Sequence, residues 1–117
     1  MQFIALIYTD ESLDTSATPE QTNAVMAEYF AFTAAAREAG VLVAGEAFHP
    51  TVTAKTVSVN NGTKHVADGP AVRTPDVQLG GMYILQSDTI EQAVDWAAKI
   101  PGAKHGKVEV RPLVDFS

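Results

Sequence analysis

Cysteine is missing from this chain of 117 residues. Its absence excludes disulfide staples, thiolate zinc sites and a cysteine nucleophile together. Basic residues are scarce: eight Lys and Arg against fourteen Asp and Glu leave a net charge of −6. A phosphate backbone or an anionic membrane surface repels that charge, and no cluster of Lys or Arg offsets it. Neither nucleic acid nor a membrane is therefore expected as a partner. Long apolar runs are lacking as well. The N-terminal run from Phe3 to Tyr8 is preceded by no basic residue and followed by no small-residue cleavage signal. It is too short for a signal-peptide core or a membrane span, so a cytoplasmic location is expected.

Chemical motifs are equally sparse. His49, His65 and His105, the only histidines, form no HxH or HExxH spacing, so no metal is expected. Glycine-rich phosphate loops of the GxGxxG or P-loop kind are absent, and no cofactor is expected. Ser58 and Ser87 lack a nucleophile-elbow or triad context.

What is present is a well-patterned single domain over residues 1–117, with enough apolar residues, 46%, for one core. QFIALIY (2–8) reads as a strand and the polar stretch Thr9 to Ser16 as a connection. Thr18-Pro19-Glu20-Gln21 carries a capping-box start, Val25, Tyr29, Phe32 and Ala36 recur at helical spacing, and Gly40 ends that helix. VLVAGEAF (41–48) is a second strand. Residues 55–59 and 63–67 flank Asn60-Asn61-Gly62, a hairpin signal, because Asn and Gly tolerate positive φ. After a polar loop (68–79), GMYILQ (81–86) is a strand. Asp88, with Glu91 three positions on, is expected to cap a helix whose buried stripe is Ile90, Ala93, Val94 and Ala97. Pro101-Gly102 ends it, and KVEVRPL (107–113) closes the chain as a strand. Leaving the hairpin aside, the order is βαββαβ. The expected class is α+β: a ferredoxin-like four-stranded antiparallel sheet with both helices on one face and an inserted β-hairpin.

Helices on one face leave the other to water unless something covers it. Phe3, Ala5 and Ile7 lie on one side of the first strand and Ile4, Leu6 and Tyr8 on the other; Tyr83 and Leu85 oppose Met82 and Ile84 likewise. Strands apolar on both sides predict a homodimer joined sheet to sheet.

Six residues are candidates for a site. In the last strand Val108 and Val110 face one way and Lys107, Glu109 and Arg111 the other, which aims Glu109 and Arg111 at the dimer side. They are read either as a structural ion pair or as ligand contacts. Glu46, a carboxylate in an apolar strand, needs a partner, and Arg111 is the expected one. Asp68-Gly69-Pro70 reads first as a turn, but its company, a flexible loop and then Gly80-Gly81, also suits a pocket rim approached by a ligand or a second chain. His65, three residues before Asp68, is either a surface histidine or half of a His–Asp pair. Tyr83 is either core or a hydrogen-bond donor.

Five stretches in order, Gly45-Glu46, Asp68-Gly69-Pro70, Gln78-Leu79-Gly80-Gly81, Ala97-Ala98 through Ile100-Pro101, and Val108-Glu109-Val110-Arg111-Pro112, give the chain a resemblance to the YCII-related family, in its DGPF-domain branch. The resemblance runs from the first strand to Pro112. It implies a ferredoxin-like dimeric α/β barrel, within a fold group that includes muconolactone isomerases and antibiotic-biosynthesis monooxygenases. It also implies an association with extracytoplasmic-function sigma factors. Neither association supplies a reaction. Two departures stand out. Ala71 follows Asp68-Gly69-Pro70 where the branch carries Phe. The His–Asp pair proposed as catalytic in another branch has no matching histidine here.

Two functions follow as expectations. One is a small cofactor-independent enzyme acting on a small organic molecule, anionic or cyclic, in a cleft near the dimer interface. Asp68 or Glu46 would be its base, Arg111 the anchor, and Tyr83, Glu109 and His65 further contacts. The other is a non-catalytic ligand-binding or regulatory dimer in which Glu46, Glu109 and Arg111 hold the interface.

Overall fold

A computed structural model describes residues 1–117. Along the chain run β1 (Gln2–Thr9), α1 (Glu11–Ser16), α2 (Pro19–Glu38), β2 (Leu42–Ala47), β3 (Lys55–Asn60), β4 (Thr63–Asp68), β5 (Gln78–Gln86), α3 (Ile90–Ala97), α4 (Gly102–His105) and β6 (Lys107–Pro112). A 3-10 turn, Thr51–Thr53, precedes β3. Four strands pair antiparallel in the order β2-β5-β1-β6, while β3 and β4 form a separate two-stranded hairpin. Without the hairpin and the two shortest helices the order is βαββαβ, an α+β arrangement compatible with the ferredoxin-like expectation. No helix is long and apolar enough to cross a membrane.

Local chemistry explains most boundaries. Thr18 caps α2 in a reciprocal box: its hydroxyl accepts from the Gln21 N–H, and the Gln21 side chain accepts from the Thr18 N–H. The hairpin turns at Asn61 and Gly62, both at positive φ. Two starts differ from expectation. The cap of α3 is Thr89 with Gln92, not Asp88 with Glu91; Thr89 is the extended residue whose hydroxyl accepts from the Gln92 N–H. Residues 11–16, read as connection, form α1, capped by the Asp10 carboxylate accepting from the Ser12 N–H. After Ile100 the chain makes one more helical turn, α4, before β6.

Burial is one-sided. Phe3, Ala5 and Ile7 of β1 and Tyr83 and Leu85 of β5 are buried beneath Phe32 and Ala36 of α2, Ala97 of α3, and Ile100. The buried stripe of α3 runs through Ala93 and Ala97, with Trp96 half-buried beside them; Ile90 and Val94 are exposed. Trp96 packs edge-on to Phe32 at 6.3 Å, and the Lys99 ammonium sits over its outer face. On the far side of the sheet none of Ile4, Leu6, Tyr8, Met82 and Ile84 is buried. The molecule is accordingly a slab, 47 × 45 × 19 Å, its short axis accommodating one sheet and one helical layer. Its radius of gyration is 16.1 Å, against about 13 Å for a compact domain of this length. The projecting hairpin adds to that spread, with Val57, Val59 and Val66 exposed.

Candidate functional site

Strand register places the charged candidates on the bare face. Met82 pairs with Glu46 on one side and Leu6 on the other, and Leu6 pairs with Glu109, so these four residues form one row across the sheet. The next row holds Ala44, Ile84, Ile4 and Arg111. Lys107 pairs with Tyr8 on the same face. Val108 and Val110 turn inward against the core, as the alternation predicts.

The expected Glu46–Arg111 pair is not formed within the chain. β2 and β6 are opposite edges of the sheet, separated by β5 and β1, a span of about 14 Å at normal strand spacing. Arg111 instead donates through Nε to the Glu109 carboxylate, two residues back on its own strand. Glu46 has no ion-pair or side-chain hydrogen-bond partner in its own chain.

The acidic turn serves the hairpin. Asp68 ends β4 opposite Lys55, whose ammonium approaches its carboxylate to 2.5 Å, with both side chains mostly in water. Such a pair contributes little. Gly69 is buried at φ +101°, and the Arg73 guanidinium fills the space where a Cβ would stand. The Gly69 N–H donates to the Ala54 carbonyl, Thr56 Oγ1 donates to the Gly69 carbonyl, and Arg73 Nη2 donates to the Asp68 carbonyl. Together these bonds fasten the 68–77 loop to the hairpin base. His65 pairs with Ser58 in the exposed hairpin. An odd offset along a strand sends His65 and Asp68 to opposite faces, so they form no pair. Gly80 is the extra residue of a bulge in the β1–β5 ladder, and the backbone closing on Gly81 is the Glu46 carbonyl of β2.

Tyr83 stands on the opposite side of the sheet from Glu46, Glu109 and Arg111. Its ring lies against Gly45, where an added Cβ would come within 2.5 Å, and 5.0 Å from the Phe32 ring. Its hydroxyl is 3.2 Å from the Thr33 hydroxyl. Close by is Tyr29, a residue read from the sequence only as part of an apolar stripe. The half-buried Tyr29 hydrogen-bonds to the Gly102 backbone through its hydroxyl. Burial, reinforced by Tyr83 and more weakly by Asp14 and Glu28, pushes the Tyr29 phenol above its ordinary pKa, against a lowering hydrogen bond from Gly102. Asp14 of α1 is also raised, by burial first and then by Glu11 and Asp10. The Glu11 carboxylate fixes α1 in place by accepting 2.8 Å bonds from the Thr51 N–H and hydroxyl. The group comprises two tyrosine hydroxyls and a threonine hydroxyl, able to hydrogen-bond an acceptor and bordered by acidic residues that disfavour an anion.

Comparison with known proteins places this arrangement in a lineage. A family model described as the YCII-related domain matches residues 1–117. An uncharacterised protein of Rhizobium meliloti (strain 1021) is 33% identical over 115 residues, covering 97% of this chain and 92% of the relative.

Proposed function

The chain belongs to the YCII-related family, and on that footing we propose that it works as a homodimeric binding module, two sheets packed face to face as a dimeric α/β barrel. One observation carries this reading: the far face, apolar across both central strands through Ile4, Leu6, Met82 and Ile84, is only half-buried within its own chain. Water on such a face is costly, and a second copy covers it by closed two-fold symmetry. Glu46, Glu109 and Arg111 then belong to the interface rim, while Asp68 and His65, fixed in the hairpin, take no part in a site. The DGPF branch fits Asp68-Gly69-Pro70, and the exposed Ala71 in place of the aromatic suits a turn that lines no pocket within one chain. A cytoplasmic location fits the lack of cysteine. Light scattering at micromolar concentration is expected to give twice the chain mass; a monomer there rejects the module.

The phenol group favours a second reading, a small cofactor-independent enzyme or carrier for a neutral organic molecule with a hydrogen-bond acceptor. Arg111 cannot anchor the molecule that Tyr83 touches, because the sheet lies between them. Tyr29 gives this reading its test. A phenol whose folded pKa is raised contributes stability that is present below the ordinary tyrosine pKa and lost as pH rises through the folded value. Absorbance titration is expected to find one late-ionising phenol that disappears in Tyr29→Phe. A ligand whose thermal shift persists in Tyr29→Phe would bind elsewhere.

A further inference from the structure

The bare sheet face carries its charge at its two edges, with opposite signs. The β6 edge presents Lys107, Glu109 and Arg111, two positive charges against one negative. The β2 edge presents Glu46, with neutral Ala44 as its neighbour on that face. The strands between are apolar, through Ile4, Leu6, Met82 and Ile84. Glu46 lacks a partner within its chain, while β6 has a surplus cation even after Arg111 has engaged Glu109.

A second copy can be laid on this face about two different in-plane two-fold axes. An axis parallel to the strands reverses the edge order, so β2 of one copy lies over β6 of the other. An axis perpendicular to the strands keeps the edge order, so β2 lies over β2 and β6 over β6. The hydrophobic centre is satisfied either way. The edges distinguish the two by their net charge: the second arrangement lays the acidic β2 edges over each other and the net-positive β6 edges over each other, and the first lays an acidic edge over a net-positive one at both ends.

We propose that the two-fold axis runs parallel to the strands, and that Glu46 of each copy pairs with Lys107 and Arg111 of the other. This rests on the homodimer reading and adds its register. Packed sheets lie about 10 Å apart, a gap that a glutamate and a lysine or arginine bridge from facing sides. An axis along the strands preserves height, so Glu46 stands level with the partner's Glu109, a carboxylate already engaged by the arginine two residues along its own strand. Lys107 and Arg111 then flank it about 7 Å away along the strand, one on each side. The spacing that denies Glu46 a partner within its own chain thus supplies two from the second copy. Like-charge contact along both edges disfavours the competing arrangement, so these residues specify orientation as well as affinity.

Charge reversal read by analytical ultracentrifugation tests the register. Glu46→Lys is expected to weaken self-association about tenfold to a hundredfold, and further at low salt. Adding Lys107→Glu and Arg111→Glu to that variant is expected to restore it to within a few-fold of the parent. Circular dichroism confirms that each chain folds; all three side chains are at the surface, so reversal leaves the core intact. If the parent dimerises and Glu46→Lys matches it, the proposed pairing is wrong. If the triple variant stays as weak as Glu46→Lys, the pairing is wrong although the dimer stands. A monomeric parent overturns the homodimer reading itself and the register with it.

Discussion

Met82→Asp is expected to leave a folded chain that no longer self-associates. Met82 lies in β5, one of the two central strands, between Leu6 and Glu46 in its row. In a single chain this position is only half-buried and faces water, so a carboxylate there is tolerated and the circular dichroism spectrum is preserved. In the proposed dimer two such carboxylates would be buried against apolar side chains without a partner. At about 3 kcal/mol each, the pair weakens association about 10⁴-fold, enough to turn a nanomolar dimer into a monomer at working concentrations. Ile4→Lys, on the adjacent strand with the opposite charge, is expected to act the same way, because burial of an unpaired charge is the cause and not its sign. Val57→Asp on the exposed hairpin serves as the control and is expected to leave association unchanged. Sedimentation velocity on the three variants decides the matter: undiminished association of Met82→Asp would place the contact between copies on another surface.

What the sequence could deliver follows from how local each signal is. The two-sided apolar character of QFIALIY and GMYILQ is a period-two pattern, readable without knowing any neighbour, and burial of Phe3, Ala5, Ile7, Tyr83 and Leu85 follows it. The alternation that sends Glu109 and Arg111 to one face and Val108 and Val110 to the other is equally local. Which edge a strand occupies is not. Glu46 and Arg111 share a face, and composition made them natural partners, yet the order β2-β5-β1-β6 holds them at opposite edges. The ferredoxin-like order already implied that separation, because its second and fourth strands are the two edges. The six residues of α1, ESLDTS, carry no apolar periodicity and owe their shape to the Asp10 cap and the Glu11–Thr51 bonds. At the start of α3, Asp88 with Glu91 and Thr89 with Gln92 spell overlapping capping patterns one residue apart, and only backbone geometry chooses between them. The Tyr83–Thr33 contact joins residues fifty positions apart. Tyr29, set in a helical stripe with Phe32 and Ala36, has the spacing of an ordinary core aromatic, so nothing local marked its hydroxyl.

Gly106→Ala is expected to be the most destabilising glycine-to-alanine change in the chain. Gly106 joins α4 to β6, and a Cβ there would run into the Tyr8 carbonyl oxygen, with the Tyr8 carbonyl carbon at 3.0 Å and Thr9 Cα at 3.1 Å. Its φ is negative, at −152°, and the obstacle is the space a Cβ would need. Where a clash meets the far end of a side chain, a rotamer change relieves it; here the obstacle is the main chain of β1, held in register by both β5 and β6. Relief requires β1 and the α4–β6 junction to move apart, at a cost of about 3 kcal/mol or more and a fall in Tm of about 12 °C. Gly45→Ala provides the comparison, since its Cβ would press on the Tyr83 ring at 2.5 Å, a side chain that can tilt at the expense of its Thr33 contact. Its expected cost is about half as large. Because β6 begins one residue after Gly106 and carries Lys107, Glu109 and Arg111, the same displacement shifts the charged edge. Thermal denaturation and sedimentation of Gly106→Ala should therefore change together. A Gly106→Ala chain that melts within a few degrees of the parent and dimerises normally would show that the β1–β6 edge yields easily, contrary to the close packing of backbone on backbone at this junction.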